Sequence, residues 1–359
     1  MATLDDEWND FIDDEENDVA MYESLETSNY NHIEDGNIPK SSNIYISTKT
    51  KIAYLNHTVN LYDVFWKIKV NNYNIPNEGV IKKQMKFISN SEEELDILRK
   101  NIKDDMLVDE YILNHLNNPE SGRIKFKDVR KISIGVCKKD ILSYRCKKKS
   151  AFYNCFVLIL RISYEGSFHE VHVKVFNTGK LEIPGIKNDN LLYLVLDLLV
   201  KICKPYISEN LTWNDNITTV LINSNFNCGF YVNRAKLYNI IQFKYKISSV
   251  YDPCSYPGIQ CKFYYNTKLP YTEQQLGVLD SKYKENDYKK ISFMIFRTGS
   301  VLIVGKCNED ELNNIYMFLK DMLFNEYNLI YETNKQEENI EVKKNKKTRR
   351  KTITINVDC

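Results

Sequence analysis

Hydrophobic and polar residues alternate along VHVKVF (171–176) and ISFMIF (291–296), and this period of two predicts half-buried β-strands. Beyond each strand, apolar positions recur at helical spacing, over residues 189–203 and 309–323. Before the second helix, Asn308 and Glu311 have the spacing of a capping box. The order strand, turn, long helix is therefore predicted twice.

The turn after each alternating strand belongs to an internal repeat. FNTGKLEIPG (176–185) recurs as FRTGSVLIVG (296–305), with Phe, Thr and both Gly in register 120 residues later. The short helical pattern LYDV (61–64) likewise recurs as LYNI (237–240). Each of these helical patterns follows a predicted strand.

The two copies differ in length. The interval from the first helical pattern to the Phe of the turn motif is 115 residues in the first copy and 59 in the second. We place the extra residues at about 76–150, where residues 91–116 are predicted as one or two helices and residues 123–139 as strand and loop. A smaller insertion at about 266–288 is predicted within the hairpin of the second copy.

Two copies of strand, helix, antiparallel strands and long helix predict an α+β fold. We expect the two pseudo-symmetric repeats to form one curved antiparallel sheet, or saddle, with the helices on its convex face and an inserted α/β segment in repeat 1. The concave face is expected to stay open. An uncovered sheet face of this kind is expected to bind a partner.

Charge is distributed unevenly, although the formal net charge of the chain is only +1. Residues 1–37 contain thirteen Asp and Glu and no Lys or Arg, whereas seven of the nine residues 343–351 are basic. Such runs are too polar and too self-repulsive to fold alone. The predicted organisation is an acidic disordered tail (1–40), repeat 1 (41–207), repeat 2 (208–332) and a basic disordered tail (333–359).

The sequence gives no support for catalytic or metal chemistry. None of the nine cysteines lies in a CxxC pair or in a Cys/His cluster with zinc-ligand spacing. No GxGxxG, GxxxxGK[ST] or paired-carboxylate motif occurs. The longest apolar run, residues 191–200, is too short to span a bilayer. We expect an intracellular monomer without enzymatic activity, cofactor, metal ion or membrane association.

The duplicated motif resembles the core of the TATA-box-binding protein family. The family pattern Phe-x-Ser/Thr-Gly-Lys, ending in Gly-x-Lys, is matched by FNTGKLEIPGIK (176–187) and less fully by residues 296–305. YDPCSYPG (251–258) resembles the family's second-repeat segment YEPxxFPG. The resemblance covers about residues 43–330 apart from the insertions, and its divergence is similar to that of versions from large DNA viruses.

This resemblance implies that aromatic side chains wedge between base steps and kink DNA from the minor groove. Phe176 and Phe296 match the wedges in the two hairpins, and Tyr256 matches the partner wedge of the second repeat.

The partner wedge of the first repeat depends on strand pairing. If residues 156–162 pair directly with residues 171–176, its position falls on Cys155 with Phe156 adjacent; if residues 77–87 are that strand, it falls near Asn77. We prefer the first alignment, because it keeps the hairpin short, and take Phe156 as the candidate.

The resemblance also implies contacts to phosphates and to the groove, at Arg161, Lys180, Lys187, Lys262, Asn43, Thr178 and Thr298. Basic residues at these positions would neutralise phosphates and release counterions. Three departures concern the same surface. Ser300 and Cys307 replace the two hairpin lysines in the second copy, Pro184 and Val304 replace groove-contacting threonines, and Glu182 replaces a small apolar residue.

We interpret the sequence as a transcription initiation factor that binds and bends A·T-rich promoter DNA through the minor groove. It would recruit a general transcription factor or RNA polymerase, in the host cytoplasm or in the nucleus. Because the minor groove code is degenerate, specificity would come mainly from deformability. The alternative is a protein-interaction module of the same fold that has lost specific DNA binding and holds a protein partner on its concave face.

Overall fold

The computed structural model describes residues 39–102, 107–120, 124–142, 153–270, 273 and 275–333. The predicted tails therefore lie almost entirely outside the described residues. In the described part of the chain, one unclosed antiparallel sheet contains all twelve named strands. In chain order these are β1 (Tyr45–Leu55), β2 (Gly79–Ser89), β3 (Val108–Asn117), β4 (Phe126–Gly135), β5 (Cys155–Tyr164), β6 (Ser167–Phe176), β7 (Lys180–Ile186), β8 (Trp213–Asn227), β9 (Ser248–Val250), β10 (Ile259–Asn266), β11 (Tyr288–Ile295) and β12 (Ser300–Gly305).

The α-helices are mostly short, apart from two long ones that each follow a hairpin. They are α1 (Leu61–Lys67), α2 (Glu92–Lys100), α3 (Lys138–Leu142), α4 (Asp189–Ile207), α5 (Arg234–Asn239), α6 (Glu309–Asn325) and α7 (Tyr327–Ile330). A π-helical turn, Ile240–Lys244, continues α5, and a 3-10 turn, Glu285–Asp287, precedes β11. No described helix is long and apolar enough to cross a membrane.

The sheet consists of two similar halves that meet at β1 and β8. Outward from this pair the strands run β1-β7-β6-β5-β2 in one half and β8-β12-β11-β10-β9 in the other. Backbone contacts also repeat, since Leu55 donates to the carbonyl of Gly179 (2.8 Å) and Cys228 donates to that of Gly299 (2.9 Å). The α+β fold class with two pseudo-symmetric repeats is therefore confirmed.

Each half has its own hydrophobic core beneath its long helix. The first includes Val175, Leu181 and Leu196, and the second includes Phe293, Ile303 and Leu319. The capping box predicted for α6 is present, because Glu311 N–H donates to Asn308 Oδ1 (2.8 Å) and Asn308 N–H donates to Glu311 Oε2 (3.0 Å). Both long helices extend slightly beyond their predicted ends.

The predicted insertion is placed too early in the chain. Strand β2 occupies the position that β9 has in the other half, so it belongs to the repeated unit. The elements without a counterpart among the described residues are α2, β3, β4 and α3. Strands β3 and β4 widen the first half by one hairpin at its outer edge.

The prediction of helix across residues 91–116 is correct only for α2. The apolar residues Val108, Ile112 and Leu116 recur every four residues, a spacing that fits one face of a helix. They lie instead on β3, whose backbone pairs with β4. A tertiary partner that satisfies the backbone groups of the segment overrides this weak local pattern.

A buried lysine closes the C-terminus of α1. Lys83 Nζ donates to the carbonyls of Phe65 and Ile68, each at 2.6 Å, and lies 4.8 Å from the centroid of the Phe65 ring. These carbonyls belong to the last turn, where a helix leaves acceptors without intrahelical partners. Burial lowers the pKa of Lys83 to about 8.

This lowered pKa predicts a pH-dependent contribution to stability. Between pH 8 and 10.5 the unfolded chain binds a proton at Lys83 that the folded chain does not, so stability rises with pH. Compared with a Lys83→Met variant, the wild-type chain should gain about 2–3 kcal/mol of unfolding free energy over this interval. Urea unfolding of both proteins at several pH values measures the difference, and a constant difference would contradict the prediction.

Candidate nucleic-acid interface

The register of the strands defines two faces of the sheet. Ala53, Leu181 and Val175 pair in sequence across β1, β7 and β6 and are buried beneath the helices. Their chain neighbours Ile52, Glu182 and Lys174 therefore point to the opposite face, because successive side chains of a strand alternate. We call this opposite side of the sheet the second face.

The second face carries many lysines. Their positions follow from the pairing on β2, β4, β6, β7, β10 and β11, and they are Lys82, Lys86, Lys127, Lys131, Lys174, Lys180, Lys262 and Lys290. Glu182 is one of the few carboxylates on this face. Its Oε1 accepts a hydrogen bond from Lys174 Nζ at 2.7 Å in a half-buried ion pair. The carboxylate that departs from the family pattern is thus neutralised by the lysine opposite it.

The hairpin aromatics lie at opposite ends of the second face, because Lys180 pairs with the end of β1, Ser300 pairs with the end of β8, and these two strands are antiparallel. Phe176 ends β6 on the same face as Lys174 and is partly exposed. The ammonium of Lys180 lies 5.2 Å from the centroid of the Phe176 ring. Two residues predicted to contact DNA, a wedge and a phosphate ligand, therefore lie together on one hairpin.

The equivalent aromatic of the second half is packed more closely. Phe296 is 6% exposed, and its ring centroid lies 5.9 Å from that of Tyr256 at an interplanar angle of 60°. Tyr256 Oη donates to Met294 Sδ (3.3 Å). A Cβ at Gly258 would lie 3.1 Å from both rings, which explains the glycine between them. The predicted wedge pair of the second repeat is therefore a preassembled contact.

The prediction that Phe156 is the partner wedge of the first repeat is wrong. Strand β5 pairs directly with β6, as we preferred, and Cys155 stands opposite Phe176. Phe156 points to the helix-covered face, is completely buried and belongs to the first core. Cys155 is itself 3% exposed, and burial raises the pKa of its thiol to about 11, so it is unreactive.

Arg161 is also not placed to contact phosphate. It is 6% exposed, and its Nη1 donates to the carbonyls of Tyr73 (2.9 Å) and Ile75 (3.0 Å). Its guanidinium carbon lies 4.4 Å from the centroid of the Tyr73 ring. The arginine holds the loop between α1 and β2 against the sheet.

The second face is not wholly open, in contrast to the expectation from the sequence. Cys137, at the start of α3, packs with Ile81 and Ile159, which belong to β2 and β5. Lys82 Nζ donates to both oxygens of Asp140 at 2.8 Å. Burial opposes ionisation of Asp140, but the hydrogen bonds that it accepts outweigh this effect and its pKa is lowered. Helix α3 and the loop before β2 therefore cover the end of this half that lies away from Phe176.

The other predicted contact residues lie at the surface or in turns. Lys187 and Lys262 are exposed, and Lys262 lies on the second face. Thr178 is exposed in its turn and its Oγ1 accepts from Lys180 N–H at 3.5 Å, whereas the carbonyl of Thr298 accepts from Asn227 Nδ2 at 3.4 Å. Asn43 is exposed just before β1.

Residues of the extra hairpin β3–β4, and of the segments beside it, were not predicted as contact residues from the sequence. Lys127 and Lys131 on β4, Lys86 on β2 and the exposed Tyr153 before β5 all lie at the edge of the second face near Phe176. The alternation in KFKDVRKISIG (125–135) could have indicated this face, because Lys127, Val129, Lys131 and Ser133 share one side of a strand.

An antiparallel sheet of two similar halves, with long helices on one side and lysines and aromatics on the other, defines a two-repeat α+β class. No family model matches the chain. A TATA-box-binding protein-like chain of Acanthamoeba polyphaga mimivirus is 24% identical to it over 258 residues, which cover 66% of this chain and 62% of the relative. The chain thus spans less than two thirds of the length of that relative.

Among solved structures, TBP of Methanococcus jannaschii matches with 14% identity and a TM-score of 0.39, covering 79% of this chain and 99% of that one. The similarity to the mimivirus chain confirms the resemblance to TATA-box-binding-protein-like proteins, in the divergent version found in a large DNA virus. Neither relative is named as an enzyme. In the part of the chain that the structure describes, no three metal-ligating side chains lie together.

Proposed function

We propose that this protein binds A·T-rich promoter DNA through the second face of its sheet, bends it from the minor groove and initiates assembly of the transcription machinery. The observation that carries this proposal is the set of lysines on the second face, with Phe176 and Phe296 at opposite ends of that face in equivalent hairpins. Lysines neutralise phosphates, and apolar wedges unstack base steps.

The two halves would act differently on the duplex. In the second half, Phe296 and Tyr256 form an aromatic pair that can enter a base step as a unit. In the first half, Cys155 is too small and too buried to accompany Phe176. Phe176 would therefore insert without a neighbour in the partner position, and the two kinks would be unequal.

Partners would bind on the opposite side. The helices cover that side, and the second face would be occupied by DNA. A general transcription factor or an RNA polymerase subunit would therefore dock on exposed helical side chains. The host cytoplasm and the nucleus are the two proposed compartments, and the viral origin of a relative supports this proposal.

Bending is measured by energy transfer between fluorophores at the ends of short duplexes. Addition of the full-length chain should shorten an A·T-rich duplex and leave a G·C-rich duplex of equal length unchanged, because deformation costs depend on the steps that are unstacked. The measurement is repeated at two salt concentrations. Equal binding to both duplexes without a change in length would contradict the proposal.

A second candidate function is a protein-interaction module of the same fold. The sequestration of Arg161 and the presence of Cys155 opposite Phe176 favour it, because both changes remove contacts that the family resemblance implies. In that case the second face would hold a protein, and neither duplex would be shortened at low salt.

A further inference from the structure

The hairpin β3–β4 extends the second face beyond the repeated unit. On this face Tyr111 pairs with Lys131 and Lys131 pairs with Lys86. Cys155 pairs with Phe176 on the adjacent strands β5 and β6. Because β2 lies between β4 and β5, the lysines continue the line of side chains that ends at Phe176. Two strands about 4.8 Å apart widen the sheet by about 10 Å.

This outer edge is basic. Strands β2 and β4 contribute Lys86, Lys127 and Lys131 to the second face and no carboxylate, while β3 contributes Asp109 opposite Ser133. Lys127 and Lys131 are partly exposed, whereas Lys86 is 9% exposed and reaches the surface beside the exposed ring of Tyr153. The carboxylate of Asp128 points to the other face, where it bonds Arg130 and His115. Positive charge therefore exceeds negative charge on the second face at this edge.

A tyrosine positions one of these lysines. Lys86 Nζ lies 3.5 Å from the centroid of the Tyr153 ring, and Tyr153 is 53% exposed immediately before β5. A hydrogen bond with Lys86 and the charges of Lys86 and Lys127 lower the pKa of Tyr153, which places Lys127 near the same ring. The aromatic ring holds the ammonium of Lys86 at the edge of the sheet near Phe176.

We propose that Lys86, Lys127 and Lys131 bind the phosphate backbone of duplex DNA that flanks the bent site on the side of the first repeat, with Tyr153 as a positioning residue. This inference rests on the proposed function and extends it to a DNA segment outside the repeated sheet. At 3.4 Å per base step, the added 10 Å corresponds to about three base pairs. The contact is asymmetric, because the described second half has no equivalent hairpin.

The test compares the full-length chain with Lys86→Gln/Lys127→Gln/Lys131→Gln on an A·T-rich site with long flanks. We expect hydroxyl-radical protection to shrink by about three base pairs on one side only. The slope of log K against log salt concentration should fall in magnitude by about 2.7, because each phosphate contact contributes about 0.9.

The matched control removes the same charge from exposed lysines of helices that cover the other face. Lys100→Gln/Lys201→Gln/Lys204→Gln should leave the footprint and the salt slope unchanged. Equal losses from both triple variants would mean nonspecific attraction and would overturn the inference.

Substitutions at Tyr153 separate positioning from charge. Tyr153→Phe keeps the ring beneath Lys86 and should retain the flank contact, whereas Tyr153→Ala should reduce the salt slope by up to about 0.9. Thermal unfolding of each variant shows that it is folded. Identical slopes for Tyr153→Ala and the wild-type chain would overturn the positioning role.

Failure of this inference is distinguishable from failure of the proposed function. If the wild-type chain bends the A·T-rich duplex and the lysine variant has an unchanged footprint, only the flank contact is wrong. If the wild-type chain does not bend the duplex at all, the proposed function is wrong and the flank contact is rejected with it.

Discussion

Replacing Phe176 and Phe296 by Ala together is expected to abolish the shortening of an A·T-rich duplex. Both side chains end on the second face in equivalent hairpins, and removing them takes away the groups that would separate base steps. Affinity for the A·T-rich duplex should fall at least about tenfold, to the level of a G·C-rich duplex, since only the phosphate contacts remain. Energy transfer and equilibrium titration measure both effects.

Folding must be controlled in this experiment, because Phe296 is nearly buried and its truncation is expected to cost stability. Phe176→Ala alone avoids the problem and should already reduce bending. Phe168→Ala is the matched control: Phe168 lies on the same strand and face as Phe176, is 47% exposed and stands at the opposite end of β6. If Phe168→Ala reduces bending as much as Phe176→Ala, the wedge assignment is wrong.

Replacing Gly179 by Ala is expected to destabilise the fold severely, whereas Gly185→Ala in the same motif should have a small effect. Both residues have positive φ angles, of 82° and 80°. A Cβ at Gly179 would lie 2.4 Å from the carbonyl oxygen of His57, while a Cβ at Gly185 would meet no atom within 4 Å. Gly185→Ala should cost about 1–2 kcal/mol for backbone conformation alone, and Gly179→Ala at least about 4 kcal/mol.

Urea unfolding of the two variants and the wild-type chain measures these costs. The comparison isolates the clash, because the backbone conformations are nearly the same. Similar losses at both positions would contradict the prediction. They would show that the φ angle alone, and not the close approach of the His57 carbonyl, requires glycine at Gly179.

The repeated elements could be predicted from the sequence because several local signals agree at them. Around Phe176 and Phe296, alternation, turn glycines and the following helix all indicate the same hairpin. The cap formed by Asn308 and Glu311 has a fixed spacing and was also correctly placed. The preferred pairing of β5 with β6 follows from loop length alone and was correct.

Residues whose role depends on a tertiary partner could not be predicted in this way. Phe156 and Cys155 are adjacent, and only the register of β5 decides which of them points to the second face. Arg161 matches a phosphate-contacting position of the family that the sequence resembles, but a loop 86 residues earlier supplies acceptors for its guanidinium. The position of Lys86 and Lys127 at one edge of the sheet depends on the pairing of β2 with β4, which is also a tertiary contact.

The separate hydrophobic cores have a consequence for cooperativity. Each half of the sheet buries its own apolar side chains. The two halves are joined by the backbone hydrogen bonds between β1 and β8. That ladder is irregular, with register shifts between Ile46 and Thr48 and again between Thr50 and Lys51. Local opening free energies are set by the buried contacts of each cooperative unit. The two halves should therefore behave as separate foldons in hydrogen exchange. One half could then unfold locally and release its contacts with a ligand while the other half stays folded.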